Sequence, residues 1–158
     1  MRIPTLLLAA LATATVASAS NYREVAKAVN DDAMLATAGV TPADVQLRKQ
    51  CRAAVIDTDD SPDFFDCVYV QTEGELNLFS LEDGFLMNEL ELTLRNMDGV
   101  ALQKLDRWAQ VQIFSRGKVT ALYIHGNGWI DTRETETVYR WLLDHGVPAR
   151  GPRVWIGP

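Results

Sequence analysis

Two cysteines, two histidines and a dense run of aspartates are the residues through which this 158-residue chain could do chemistry. The 15 residues between Cys51 and Cys67 match no C-x-x-C redox or metal pattern, and His125 and His145 supply few further metal ligands. A Cys51–Cys67 disulfide is therefore expected, with no metal and no cofactor. His125 opens the loop His125-Gly126-Asn127-Gly128-Trp129, a glycine-rich segment able to present an imidazole and an indole to a ligand. Oriented by Asp131, His125 could act as a general base. No G-x-S-x-G elbow or H-E-x-x-H pair accompanies it, and both cysteines belong to the bridge. No catalytic residue is assigned on this reading; His125 and Trp129 form a possible ligand loop, and His145 reads as a helix cap.

The densest acidic stretch is Asp57-Thr58-Asp59-Asp60-Ser61-Pro62-Asp63, followed closely by Asp66. Spaced aspartate oxygens suit Ca²⁺, but an EF-hand loop needs glycine at its sixth position and glutamate at its twelfth, where this chain has Pro62 and Val68. The stretch belongs to a longer block: from Asp57 to Asp98 there are twelve acids and one base, Arg95. Such a field attracts cationic partners and repels nucleic acid and anionic lipid. Asp57, Asp59, Asp60, Asp63, Asp66, Glu89 and Glu91 are the candidate contacts for a basic protein or peptide. Glu89 and Glu91 lie along one strand face, not across a cleft as paired glycosidase carboxylates would.

The elements that must position these residues begin after an address label. Arg2, the apolar stretch Leu6 to Ala14 and the small-residue site Ala17-Ser18-Ala19 read as a signal peptide over 1–19. One globular domain over 20–158 is then expected, exported to the periplasm or beyond the cell. No second apolar run reaches the roughly 20 residues of a membrane span. An oxidising compartment favours the disulfide.

Val25, Val29 and Ala33 recur at spacings of four, so 21–38 reads as one helix. Thr41-Pro42-Ala43-Asp44 carries N-terminal capping signals, and Leu47, Cys51, Ala54 and Val55 would form the apolar face of a second helix. From Phe64 the period becomes two, clearest in Leu90, Leu92 and Leu94 against Glu89, Glu91 and Thr93. Strands are expected near 65–72, 75–81, 86–95, 99–104, 108–115 and 118–125, joined as an antiparallel meander. Gly74, Gly84, Gly99 and Gly117 mark reversals that favour positive φ. Asp131 and Glu134 open a last helix with Val138, Trp141 and Leu142 on its apolar face, and Gly146 ends it. Residues 149–158 read as a loosely ordered tail in which Val154-Trp155-Ile156 could form an edge strand or enter a groove. Trp129 and Trp155 are less anchored than Trp108 and Trp141, and if exposed would suit a partner or a carbohydrate.

The fold class is α+β: two N-terminal helices, an antiparallel meander of about five to six strands, curved or barrel-like, and a C-terminal helix packed on it. A meander closed by a terminal helix resembles pleckstrin-homology-like barrels in layout. A cystatin-like or nuclear-transport-factor-like curved sheet fits the same pattern. The leading expectation is a non-enzymatic binding module whose acidic surface engages a basic protein or peptide, as an inhibitor, immunity protein or envelope-assembly subunit does. A small-molecule or lipid pocket under the last helix, and a hydrolase using His125, are the alternatives.

Overall fold

The computed structural model describes residues 22–57, 62–154 and 156–157. The expected leader, Asp59, Asp60 and Trp155 lie outside the described residues. Helix α1 covers 22–28 and α2 covers Asp32–Thr37, where one helix was expected. The interruption has a local cause: Asp31 accepts a hydrogen bond from the Met34 N–H at 3.0 Å, so the chain restarts a helix there. Leu35, not Ala33, turns inward beside Val25, Ala28 and Val29.

Eight strands follow: β1 (Leu47–Ile56), β2 (Phe65–Gln71), β3 (Glu75–Glu82), β4 (Phe85–Thr93), β5 (Gly99–Leu105), β6 (Trp108–Ser115), β7 (Lys118–Gly126) and β8 (Trp129–Ile130). Two differ from expectation. The second helix is replaced by a three-residue 3-10 turn, Pro42–Asp44, and by β1. β1 lies between β2 and β7, so both of its backbone edges are paired, and this outweighs the helix preference of Arg48-Lys49-Gln50. β8 is a two-residue addition to β7.

The neighbours run β4-β3-β2-β1-β7-β6-β5, with every pair antiparallel. This is not one meander but two, β1–β4 and β5–β7, joined side by side through β1 and β7. Six strand spacings of about 4.8 Å would part the edges of a flat sheet by about 29 Å. The six residue steps from Thr93 to Gly99 reach about 21 Å at full extension. The sheet must therefore curl, and its edges β4 and β5 are not hydrogen-bonded to one another, leaving it open.

The main core draws on every long strand, from Leu92 of β4 to Val100 of β5, which places it inside the curl. Helix α3 (Thr132–Asp144) fills that concave side with Val138 and Leu142 against Val111, Ile113 and Leu122. Asp131 caps it by accepting from the Glu134 N–H at 3.0 Å, and Gly146, at φ 87°, ends it, both as expected. The convex face is covered in pieces. α1 and α2 lie over Val68, Val70, Phe79 and Leu86, while Ile156 of the tail packs by Ala101, Phe114 and Val119. Gln112 and Gln110, both fully buried, hold the tail as a backbone would. The Arg153 N–H donates to Gln112 Oε1 at 2.8 Å, and Gln110 Nε2 donates to the Ile156 carbonyl at 2.6 Å.

Cys51 and Cys67 stand directly opposite each other on β1 and β2 with Cα atoms 4.8 Å apart and form the disulfide. It ties strand to strand rather than helix to strand. Among the turn glycines, Gly84 and Gly117 have positive φ and close the β3–β4 and β6–β7 hairpins. Gly99 serves closeness instead: a Cβ there would lie 2.5 Å from the Arg150 side chain.

Candidate functional site

Exposed and ionisable groups gather in three neighbourhoods, the first on the convex face and the other two at the β4 edge and at the β5–β6 and β7–β8 hairpin tips. The first is central. Arg52 pairs across the strands with Asp66 on one side and Tyr123 on the other, and His125 is two residues further along β7 on the same face. Arg52 Nη1 is 3.8 Å from Asp66 Oδ1, and the Asp66 side chain is only 9% exposed. Phe64 stacks on Tyr123, which stacks on His125, and Tyr22 of α1 closes the row, with ring centroids 5.4 to 5.8 Å apart. Burial lowers the His125 pKa from its ordinary 6.5, with Arg52 reinforcing and Asp66 opposing the shift. Burial likewise raises the Tyr123 phenol. Arg52 Nε, Asp66 Oδ1 and His125 Nδ1 are buried without a hydrogen bond among the described residues. The arrangement keeps a neutral imidazole beside an ion pair, packed between tyrosines.

The carboxylate assumed to orient His125 is committed elsewhere, since Asp131 caps α3. Trp129 is also on the other side of the β7–β8 ladder. His125 pairs with Ile130 and Gly126 with Trp129, so the imidazole and the indole project to opposite faces. The sequence placed them in one loop, and the pleat separates them.

The acidic candidates disperse. Asp57 lies 3.7 Å from Lys118, Asp63 is exposed, and Asp66 belongs to the central cluster. Glu89 falls where the β3–β4 register shifts between Leu78 and Phe79, and it accepts a hydrogen bond from Ser80. Glu91 is exposed beyond that bulge, opposite Asn77. The bulge interrupts the alternation that put both glutamates on one face. Among the described residues no group of three His, Cys, Asp or Glu could hold a metal ion. No helix among them is long and apolar enough to cross a membrane.

The second neighbourhood escaped the sequence reading. Phe85 and Met87, 60% and 47% exposed, follow the Asp83-Gly84 turn, and with Met34, Ala38 and Leu86 they line a groove of about 470 Å³ between β4 and α2. Asp31 lies on its lining, and Glu24, Lys27 and Asp83 line the adjoining groove across Met34 and Gly84. Glu82 pairs across the hairpin with Phe85. The signal was present: with Leu86 turned toward α1 and α2, alternation sends Phe85 and Met87 to the other side of the β4 edge, where they stay exposed.

In the third neighbourhood Trp108 and Trp129, 36% and 71% exposed, line one groove with Arg107, Asn127, Asp131 and Thr132.

No protein-family model matches the sequence, and no curated protein matches it. Among solved structures, a partial likeness exists to Vav1 inhibited by an allosteric inhibitor, with TM-score 0.44 and 8% identity over 64% of this chain and 26% of that one. A second is to the structure of the Vav1 exchange factor with its PH and C1 domains, with TM-score 0.45 and 11% identity over 81% of this chain and 32% of that one. The chain thus spans a minor part of either protein, and neither likeness bears on its activity.

Proposed function

We propose that this chain is a small exported binding module, without enzymatic activity, that engages a basic protein or peptide through the groove between β4 and α2. The observation that carries this reading is the pairing of exposed apolar anchors with an acidic rim. Phe85, Met87 and Met34 offer apolar surface beside Asp31, Glu24 and Asp83 line the adjoining groove, Glu82 pairs with Phe85 across the hairpin, and Lys27 is the one cation lining either groove among the described residues. Glu24, Glu82 and Asp83 have no ion pair among the described residues. A segment with apolar side chains flanked by Lys or Arg complements both properties: burial of the anchors supplies affinity, and the rim supplies steering. β4 is also a sheet edge, so a partner in extended conformation gains backbone hydrogen bonds there. Export rests on the leader read over 1–19 and agrees with the disulfide. The space under α3 is occupied by core side chains, which weighs against the enclosed-ligand alternative.

The test is capture from an envelope or culture extract by the full disulfide-bonded chain in rising salt, in parallel with the Glu82→Lys/Asp83→Lys and Phe85→Ser variants. The expected result is one basic protein released at moderate salt and lost from both variants. Equal recovery by the variants, or retention that salt does not weaken, contradicts the reading.

A further inference from the structure

The tips of the β5–β6 and β7–β8 hairpins carry a second surface that the acidic groove does not explain. The β5–β6 and β7–β8 hairpins are built alike at their tips. Each has two turn residues, the first with positive φ (Asp106 at 53°, Asn127 at 51°), and each is followed at once by tryptophan. Trp108 pairs back to Leu105 and Trp129 to Gly126, so each indole occupies the last cross-strand pair before its turn. The tips are bound to a common frame. Thr132, the first residue of α3, donates its hydroxyl to the Arg107 carbonyl at 2.7 Å, and the Asp131 N–H donates to the Ile124 carbonyl at 2.8 Å. Both tryptophans, carried on these hairpin tips, line one groove of about 510 Å³, within the roughly 300–1,000 Å³ typical of small-molecule clefts.

The polar lining narrows the ligand. The Arg107 guanidinium and the Asn127 amide make no side-chain hydrogen bond or ion pair among the described residues, so planar donors and one amide acceptor remain available beside the rings. Each indole adds one N–H donor. We infer that this groove is a saccharide-binding site that takes a pyranose unit against Trp108 and Trp129. A pyranose has an apolar C–H face that suits an indole and a rim of hydroxyls that both donate and accept, which matches Arg107 and Asn127. A membrane-inserting tip would be convex with a uniformly basic border. Here the indoles border a concavity in which the Asp131 carboxylate accompanies Arg107, and Asp106 precedes Arg107 in the turn. This inference does not depend on the acidic groove.

The test follows the indole N–H resonances of the full chain by NMR during titration with maltohexaose, cellohexaose and tri-galacturonate. Separate samples receive phosphatidylcholine and phosphatidylglycerol vesicles. The expected result is a saturable, concerted shift of the Trp108 and Trp129 signals with at least one saccharide. Trp129→Ala should then weaken binding about tenfold or more, as truncation of an aromatic anchor does. Arg107→Gln should weaken it less, and Trp141→Phe, half-buried on α3 and outside the groove lining, should leave it unchanged. Trp129 is largely exposed, so its variant should keep the folded spectrum. Failure of every saccharide to shift both indoles, or movement of them by vesicles alone, overturns the assignment.

Discussion

The concave and convex faces of this one sheet are finished by different means. Under α3 the concave face is a continuous apolar core drawn from seven strands. The convex face is covered by two short helices at one end and a hydrogen-bonded tail at the other, with the Arg52–Asp66–His125 cluster between them. The difference teaches where function can reside. A face closed by side chains at native density gives stability and nothing to bind, while a face covered in patches leaves grooves at the seams. The acidic groove lies at such a seam beside α2, and the indole groove lies at the rim of the sheet, where two hairpins meet the start of α3.

Substitutions should separate the two faces. The largest effect is expected on the concave side: Leu142→Ala removes a fully buried side chain from the centre of the core and should cost about 2–5 kcal/mol in urea unfolding. A cost below 1 kcal/mol would mean the core is looser than its burial indicates. Next comes the disulfide. A bridge spanning 16 positions restricts the unfolded chain by about 3 kcal/mol, and reduction should lower the urea midpoint accordingly. An unchanged midpoint would show that the strand pairing alone suffices.

On the convex side, Gln112→Ala removes a buried side chain that both receives from Arg153 and donates to the tail, at a cost of about 1–3 kcal/mol. Proteolysis should then begin in residues 149–158 while the body remains intact. Simultaneous cleavage throughout would argue that the tail is integral to the core.

A smaller effect concerns pH. Burial holds the His125 pKa below 6.5 in the folded chain, so between these two values the unfolded state binds more protons. Stability from this group is complete above pH 6.5 and declines as the pH falls through 6.5 toward the folded value. Tyr22, Tyr123, Arg52 and Asp66 surround the ring. His125→Gln should flatten that decline in a pH series of thermal midpoints; an unaltered slope would place its origin elsewhere. A stability change of about 1 kcal/mol or less is expected from Glu82→Lys/Asp83→Lys, since both sites are exposed and the one added cost is a lysine at the φ of 48° that Asp83 holds in the turn.

Elements with a single buried stripe or a strong turn were legible in the sequence. α3 announced itself through Asp131, Val138, Leu142 and Gly146, and the Asp83-Gly84 hairpin through its turn dipeptide. β1 was not legible because it is covered on both faces: with Ala53 and Ala54 both buried, the period of two is erased and a helix-favouring composition remains. The bulge at Glu89 hid the orientation of its neighbours, as an extra residue shifts phase without altering composition. The tail's docking depends on Gln110 and Gln112, which a strand pattern marks only as polar. The cross-strand approach of Arg52 to Asp66 and Tyr123 needed a register that one sequence does not declare.

The most direct test of the binding reading is an NMR titration of the isotopically labelled chain with an amphipathic lysine–leucine peptide, with its glutamate–leucine counterpart as control. The expected shifts centre on Met34, Phe85, Met87, Glu82 and Asp83, appear with the lysine peptide only, weaken with salt and vanish in the Glu82→Lys/Asp83→Lys variant. Equal shifts with both peptides, or shifts confined to residues outside the groove, would contradict a basic partner at this site.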